Sequence, residues 1–267
     1  MNAQESRPPW PMSKSNLAKL ENKKYRQRWG LYLLEGLSAI RDGLHAGARF
    51  HGVLAIKSRH EHGEDVALLK EFRSSGIPVQ EVMESELSRI SGLTTPPPIL
   101  GVVLEEEPYV PEIPVVTPLV LALDRVQDPG NAGTLLRAAA FYGVEQVWFG
   151  KGTVERYNPK VLRAAMSAHF DLRIAVNVDL KEAVQRAKAG GCRVYVADME
   201  GDELPSAQHS PQPAILILGN EPNGISPDLL NLADTRLAIA RRGRIDSLNV
   251  AMAGTVLLDR LLAGRNL

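Results

Sequence analysis

The sequence predicts an α/β protein in two parts: a small N-terminal α/β domain and a larger C-terminal domain built on a parallel sheet. Between residues 119 and 240, six near-continuous apolar runs alternate with segments of helical period. That is the pattern of strands buried on both faces by helices. Between residues 34 and 105 a weaker alternation of the same kind recurs. The two stretches are separated by EEEPYVPEIPVVTP at 105–118, acidic at first and then carrying prolines at 108, 111, 114 and 118. Prolines at that density exclude helix and stiffen an extended linker. The expected divisions are a basic flexible tail at 1–19, a small domain at 20–106, a Pro-rich linker at 107–118 and the main domain at 119–267.

The elements follow in order. The first thirty residues are polar and basic with no apolar core segment, so they do not read as a signal peptide. From Lys14 to Arg28 six basic residues (Lys14, Lys19, Lys23, Lys24, Arg26, Arg28) face one acid, Glu21. This cluster is either a solvated basic face or a phosphate-binding patch. Residues 34–47 space Leu37, Ile40 and Leu44 on one helical face and close on Gly47. Strands are expected at 50–57, 77–82 and 99–105, with helices at 65–76 and 84–92. In the second part strands are expected at 119–126, 144–150, 172–176, 192–198, 214–219 and 235–240. Helices are expected at 131–143, 159–168, 180–189, 227–232 and 247–263. In the last of these, Val250, Ala253, Leu257 and Leu261 form the expected buried stripe, and Gly254 suggests close packing against a neighbour.

The composition narrows the function classes. The chain has 267 residues, 44% of them hydrophobic, enough for a sizeable core. Charges balance at 31 basic against 31 acidic, so any nucleic-acid contact must come from local patches. One cysteine, Cys192, allows no internal disulfide and fits a reducing, cytoplasmic setting, where it would be a small buried hydrophobe beside Val194. No apolar run approaches the roughly 18 residues that span a membrane. There is no G-x-G-x-x-G after the first strand of the main domain, no P-loop, and no Cys/His cluster with metal spacing. His169 and His209 have no convincing Ser or Cys partner for a hydrolase triad.

Three polar segments follow strands of the main domain, at the sheet end where such folds bind ligands. In DPGNAGTLLR, 128–137, Asn131 could simply cap the coming helix, but Arg137 is out of place in an apolar one. The two lie six residues apart and converge only if Asn131 is in the preceding loop. In LILGNE, 216–221, Gly219 permits close approach of a ligand to the backbone, and Asn220 and Glu221 bring polar groups to the strand end. Pro222-Asn223-Gly224 is a turn signal. In IARRGRIDSLNV, 239–250, Asp246 or Ser247 can cap the helix, which leaves Asn249 without a structural reason.

Together these segments resemble the three signature motifs of SpoU-type RNA 2′-O-ribose methyltransferases, in the SPOUT superfamily. The third departs from the usual pattern, with Ala240 and Arg241 in place of Pro and Met. KYRQRWGLYLLEG at 24–36 and SGLTTPPPILGVV at 91–103 resemble the opening and closing segments of that family's small RNA substrate-binding domain. The resemblance implies a C-terminal trefoil knot, a homodimer whose interface completes the site, and S-adenosylmethionine held on the knot loops by the backbone around Gly219, Asn220, Ile239 and Leu248. Neither a metal nor a membrane is expected. Lys23, Lys24, Arg26 and Arg28 would contact RNA, ribosomal RNA being favoured over transfer RNA by the two-domain layout. Arg137 would act with Asn131 on the ribose hydroxyl, as base or as alkoxide stabiliser, with Glu221, Ser247 and Asn249 fixing Arg137 and the substrate.

Two other readings compete. A catalytically inactive RNA-binding protein of the same fold would have no need of Asn131, Arg137, Glu221 and Asn249. A nucleotide-dependent oxidoreductase lacks its glycine fingerprint. Two expectations follow from the motif positions: Gly219→Val should lose cofactor binding in a folded protein, and residues 116–267 should fold alone.

Overall fold

The computed structural model describes residues 7–56, 64–91, 93, 95–203, 212–220, 222–245 and 247–263. The first elements are α1 (Lys14–Lys19), α2 (Lys23–Trp29), β1 (Leu31–Glu35), α3 (Leu37–His45), β2 (Phe50–Ile56), α4 (Glu64–Ser74), β3 (Val79–Val82), α5 (Glu84–Ser91) and β4 (Ile99–Leu104). After the proline-rich seam come β5 (Leu119–Asp124), α6 (Pro129–Phe141), β6 (Gln146–Gly150), α7 (Pro159–Ala165), β7 (Arg173–Val178), α8 (Leu180–Ala189), β8 (Arg193–Glu203), β9 (Ala214–Gly219), α9 (Pro227–Leu230), β10 (Thr235–Ala238) and α10 (Val250–Leu262). These form two compact units.

The first unit is a four-stranded mixed sheet in the order β1-β4-β2-β3. Its strands are buried on both faces because both are covered. Tyr32, Leu34, Val53 and Ala55 meet Ile40, Leu69 and Phe72 on one side. Leu31, Leu33, Leu54 and Ile56 meet Leu17, Trp29, Leu87 and Ile90 on the other. Residues 34–36, expected to begin a helix, instead end β1 and turn at Gly36, whose φ of 94° favours glycine.

The expected flexible tail is corrected where it is described. Met12 and Leu17 are buried, and Ser13 caps α1 by accepting from the Asn16 N–H. A few apolar residues among many charges were enough to dock the segment. Arg26, expected to contact RNA, is only 2% exposed. Its guanidinium donates to the Leu20 and Glu21 carbonyl oxygens, both at 2.8 Å, closing the end of α1. Arg26→Met should therefore strand two carbonyls and cost about 1.5–3 kcal/mol in urea unfolding, the range for hydrogen bonds from a charged group. RNA affinity should not change; a weakened RNA complex with unchanged stability would restore the phosphate role.

The first unit also contains residues 157–170, from the connection between β6 and β7. Tyr157 stacks on Tyr32 with centroids 4.2 Å apart, Arg163 pairs with Glu35 at 2.9 Å, and Phe170 fills the space that a side chain at position 43 would need. A fragment 116–267 would carry this segment without the sheet it packs on. It is therefore not the self-contained domain expected from the proline seam.

The second unit is a six-stranded sheet in the order β10-β8-β9-β5-β6-β7, parallel throughout. The chain runs outward from β5 through β6 and β7, returns to β8, then inserts β9 between β8 and β5. One face packs Val120, Ala122, Trp148 and Ile217 under Leu180, Val184 and Ala187 of α8. Cys192 belongs to this core, and burial pushes its thiol up to about 11. On the other face, a Cβ at Gly254 would lie 2.4 Å from Leu135 and 2.5 Å from Leu218, so α10 lies close against α6 and β9. The buried stripe of α10 is Ala251, Gly254, Leu257, Leu258, Leu261 and Leu262, rotated slightly from the expected one, with Val250 and Ala253 only partly covered. Among the described residues no helix is long and apolar enough to cross a membrane.

Candidate functional site

The carboxyl ends of β5 and β9 are in register, with Asp124 opposite Gly219. Here the chain's course through the sheet reverses, and the polar loops that follow each strand come together. Asp124 is buried at the end of an otherwise apolar strand, and a carboxylate there must be bonded. It accepts from the Ser226 N–H at 2.8 Å and from the Arg125 guanidinium at 3.1 Å through both oxygens. Arg125 has φ 57°, uncommon for a non-glycine residue, and its carbonyl accepts from Asn220 at 2.9 Å. The hydrogen bond to Asp124, opposed by partial burial, raises the Arg125 pKa above its ordinary value. Sequence reasoning missed both residues; the signal was the acid closing the run LVLALD.

Asn220 is buried, and both ends of its amide make hydrogen bonds. Besides the bond to Arg125, its Oδ1 accepts from the Asn223 N–H and Nδ2, both at 3.3 Å. Its side chain ties the end of β9 to Arg125 and Asn223. Gly219 is required by the fold itself. A Cβ there would lie 2.5–2.6 Å from the backbone of Gly224 and Ile225, so the chain's own crossing occupies the space a side chain would need.

On α6, Asp128 caps the helix by accepting from the Asn131 N–H at 2.8 Å, with Pro129 in the first turn. Asn131 is thus inside the helix and is not its cap. Asn249, in turn, caps α10: its Oδ1 accepts from the Ala251 and Met252 N–H groups at 2.9 and 3.4 Å. The helix starts later than expected, and neither Ser247 nor Asp246 is the residue at its cap position. With its oxygen committed, the Asn249 Nδ2 donates to the Asn131 Oδ1 at 2.9 Å. The first and third motifs therefore meet through two side-chain amides. Near the other end of α6, Tyr142 bonds Asp259 of α10; desolvation and then that carboxylate raise the phenol's pKa. Tied at both ends in this order, α6 and α10 run parallel, with their positive ends together.

Arg137 is exposed, on a stripe with Thr134 and Phe141. Six residues from Asn131 on a regular helix is a rotation of about 240°, so the two side chains leave α6 on different sides. Arg137 makes no hydrogen bond or ion pair with another described residue. Ile239 is half-buried, while Ser247 and Leu248 are exposed; all three lie on the segment between β10 and α10. Glu221 lies outside the described residues, as does Asp246. Among the described residues no group of three His, Cys, Asp or Glu gathers as a metal site. Asn131 and Asn249 meet as a pair of amides, and Arg137 stands apart from them as an exposed guanidinium on the same helix as Asn131; amides can orient a substrate and a guanidinium can stabilise negative charge.

Residues 118–259 match the SpoU rRNA Methylase family, and residues 15–101 match the MRM3-like substrate binding domain. The chain is 31% identical to the Bacillus subtilis 23S rRNA (guanosine(2553)-2′-O)-methyltransferase RlmP, over 91% of this chain and 93% of that one. It is 31% identical to mouse rRNA methyltransferase 3, mitochondrial, over 90% of this chain and 69% of that one. An AdoMet-bound rRNA methyltransferase structure from Sinorhizobium meliloti superposes with a TM-score of 0.80 at 26% identity, covering 92% of each chain.

Proposed function

Because the chain belongs to the SpoU rRNA methylase family, we propose that it transfers a methyl group from S-adenosylmethionine to a ribose 2′-hydroxyl of ribosomal RNA. The observation that carries this reading is the hydrogen bond between Asn131 and Asn249, which joins two motifs far apart in sequence. S-adenosylmethionine supplies a methyl group on a sulfonium, and the protein's share is position and a water-poor site. The residues suit that cofactor: Ile239 and Leu248, both incompletely buried on the segment after β10, offer apolar surface to an adenine ring. The backbone of the 219–224 turn, rather than the Asn220 amide, would hold its polar groups.

The ribose hydroxyl must lose its proton as the new bond forms. A guanidinium keeps its own proton at working pH, so Arg137 is better suited to stabilise the alkoxide than to act as base. Asn131 and Asn249 orient the nucleotide, with Ser247 and Glu221 completing the set. Lys23, Lys24 and Arg28, exposed on α2, serve as RNA contacts of the first unit. A homodimer fits the exposed Phe141, Ile245, Leu248 and Met252 on and near α6 and α10. The trefoil knot fits the insertion of β9 and the tight crossing at Gly219. A buried lone thiol fits a reducing compartment such as the cytoplasm.

The test is direct. Incubation with tritiated cofactor and unmodified large-subunit ribosomal RNA should label a 2′-O-methylnucleoside after nuclease digestion. Label on transfer RNA alone would change the substrate. RNA and cofactor binding without any transfer would make the protein a binder.

A further inference from the structure

The segment from Ile239 to Asn249 carries three arginines, Arg241, Arg242 and Arg244, all exposed. Most surface cations of the second unit have an acid beside them. Lys151 pairs with Asp179, Arg173 with Glu145, Lys181 with Asp228, Lys188 with Asp234 and Arg236 with Asp198. Arg186 and Arg260 stand in the last turns of α8 and α10, where the helix dipole favours a cation. Arg137, Arg242 and Arg244 have no acid partner among the described residues. Arg242 and Arg244 lie on the segment that ends at Asn249, and Arg137 lies on the helix that Asn249 contacts. The parallel N-termini of α6 and α10 lie at that same contact and add positive potential. At Gly243, between the two arginines, a Cβ would meet nothing within 4 Å, so the space beside the backbone there is open.

Resting on the methyltransferase reading, we propose that Arg242 and Arg244 form a phosphate-binding arm that grips the RNA backbone beside the target ribose. The arm is distinct in sequence from the basic cluster of the first unit, and it follows Ala240 and Arg241, which stand where the resemblance leads one to expect an uncharged Pro-Met pair. Its contacts are to phosphate and so independent of sequence, and each should appear as released counterions. The arm would hold the target nucleotide's backbone while Asn131, Asn249 and Arg137 address its sugar.

The experiment uses the full chain, the double variant Arg242→Ala/Arg244→Ala, and Arg186→Ala as a control. Binding of a 30-nucleotide stem–loop RNA is titrated against salt, alongside cofactor calorimetry and sedimentation. The double variant should show a log–log salt slope shallower by about 2. Its cofactor affinity and oligomeric state should match the parent's, and Arg186→Ala should behave as the parent. An unchanged slope in the double variant overturns the proposal, as does an equal change in Arg186→Ala. Loss of cofactor binding or of assembly in the double variant also overturns it, because the arm would then serve the cofactor or the interface. If the parent itself binds neither cofactor nor RNA, the methyltransferase reading fails first.

Discussion

Arg137→Ala should reduce methyl transfer by on the order of a hundredfold or more, the scale of losing one proton-transfer or charge-stabilising group. Stability should barely change. The side chain is exposed and touches no described partner, and such substitutions stay within about 0.5 kcal/mol. An arginine that contributes nothing to folding, on a helix whose inner face is Ala132, Leu135, Leu136 and Ala139, is a reagent or a decoration. The variant separates the two. Arg137→Lys should rescue little, since an ammonium lacks the planar fork that can hold a phosphate and a hydroxyl together. Single-turnover transfer with tritiated cofactor measures the chemical step, and calorimetry checks that cofactor binding is near normal. A rate within a fewfold of the parent would remove Arg137 from the mechanism.

Much of the fold was legible because burial on both sheet faces makes strands read as apolar runs, and helices betray themselves by period. LVLALD, QVWFG and AILILG were unmistakable for that reason. The failures depend on partners that a local pattern does not name, some near in sequence and some remote. Arg26 looks like any surface cation until the chain folds back and brings it the Leu20 and Glu21 carbonyls, six and five residues away. Residues 157–170 follow β6 in the chain, and nothing local says that Tyr157 will stack on Tyr32. Asn131 and Asn249 were legible as odd polar residues, but their 118-residue separation hid the hydrogen bond that joins them. Asn249 was unexplained only while the helix was thought to start three residues earlier. Once it is the cap, its oxygen is committed and its amide nitrogen has one useful direction. The Asp124–Arg125 brace was missed because a terminal Asp-Arg pair resembles an ordinary turn.

Gly219→Ala and Gly219→Val should damage the fold before they damage cofactor binding. The sequence suggested a glycine that makes room for a ligand, with a folded but cofactor-blind variant. The crossing chain implies otherwise. A Cβ at position 219 would stand 2.5 Å from the Gly224 carbonyl carbon and 2.6 Å from both its oxygen and the Ile225 nitrogen. Those are backbone atoms, and they are held in place. The Gly224 N–H donates to the Asn220 carbonyl at 2.8 Å, and the Ser226 N–H donates to Asp124. The turn cannot retreat without breaking the brace at the end of β5, so relief by rotamer change is closed. Overpacking in a well-packed site costs about 1–3 kcal/mol and occasionally more, and a clash with fixed backbone belongs at the upper end. Gly219→Ala should therefore lose about 3 kcal/mol in urea unfolding, and Gly219→Val should fail to accumulate as folded protein. Gly243→Ala, where an added Cβ meets nothing within 4 Å, should melt with the parent. If Gly219→Ala unfolds at the parent's urea midpoint yet binds no cofactor, the space at this glycine belongs to the ligand after all, and the tight crossing does not secure the fold.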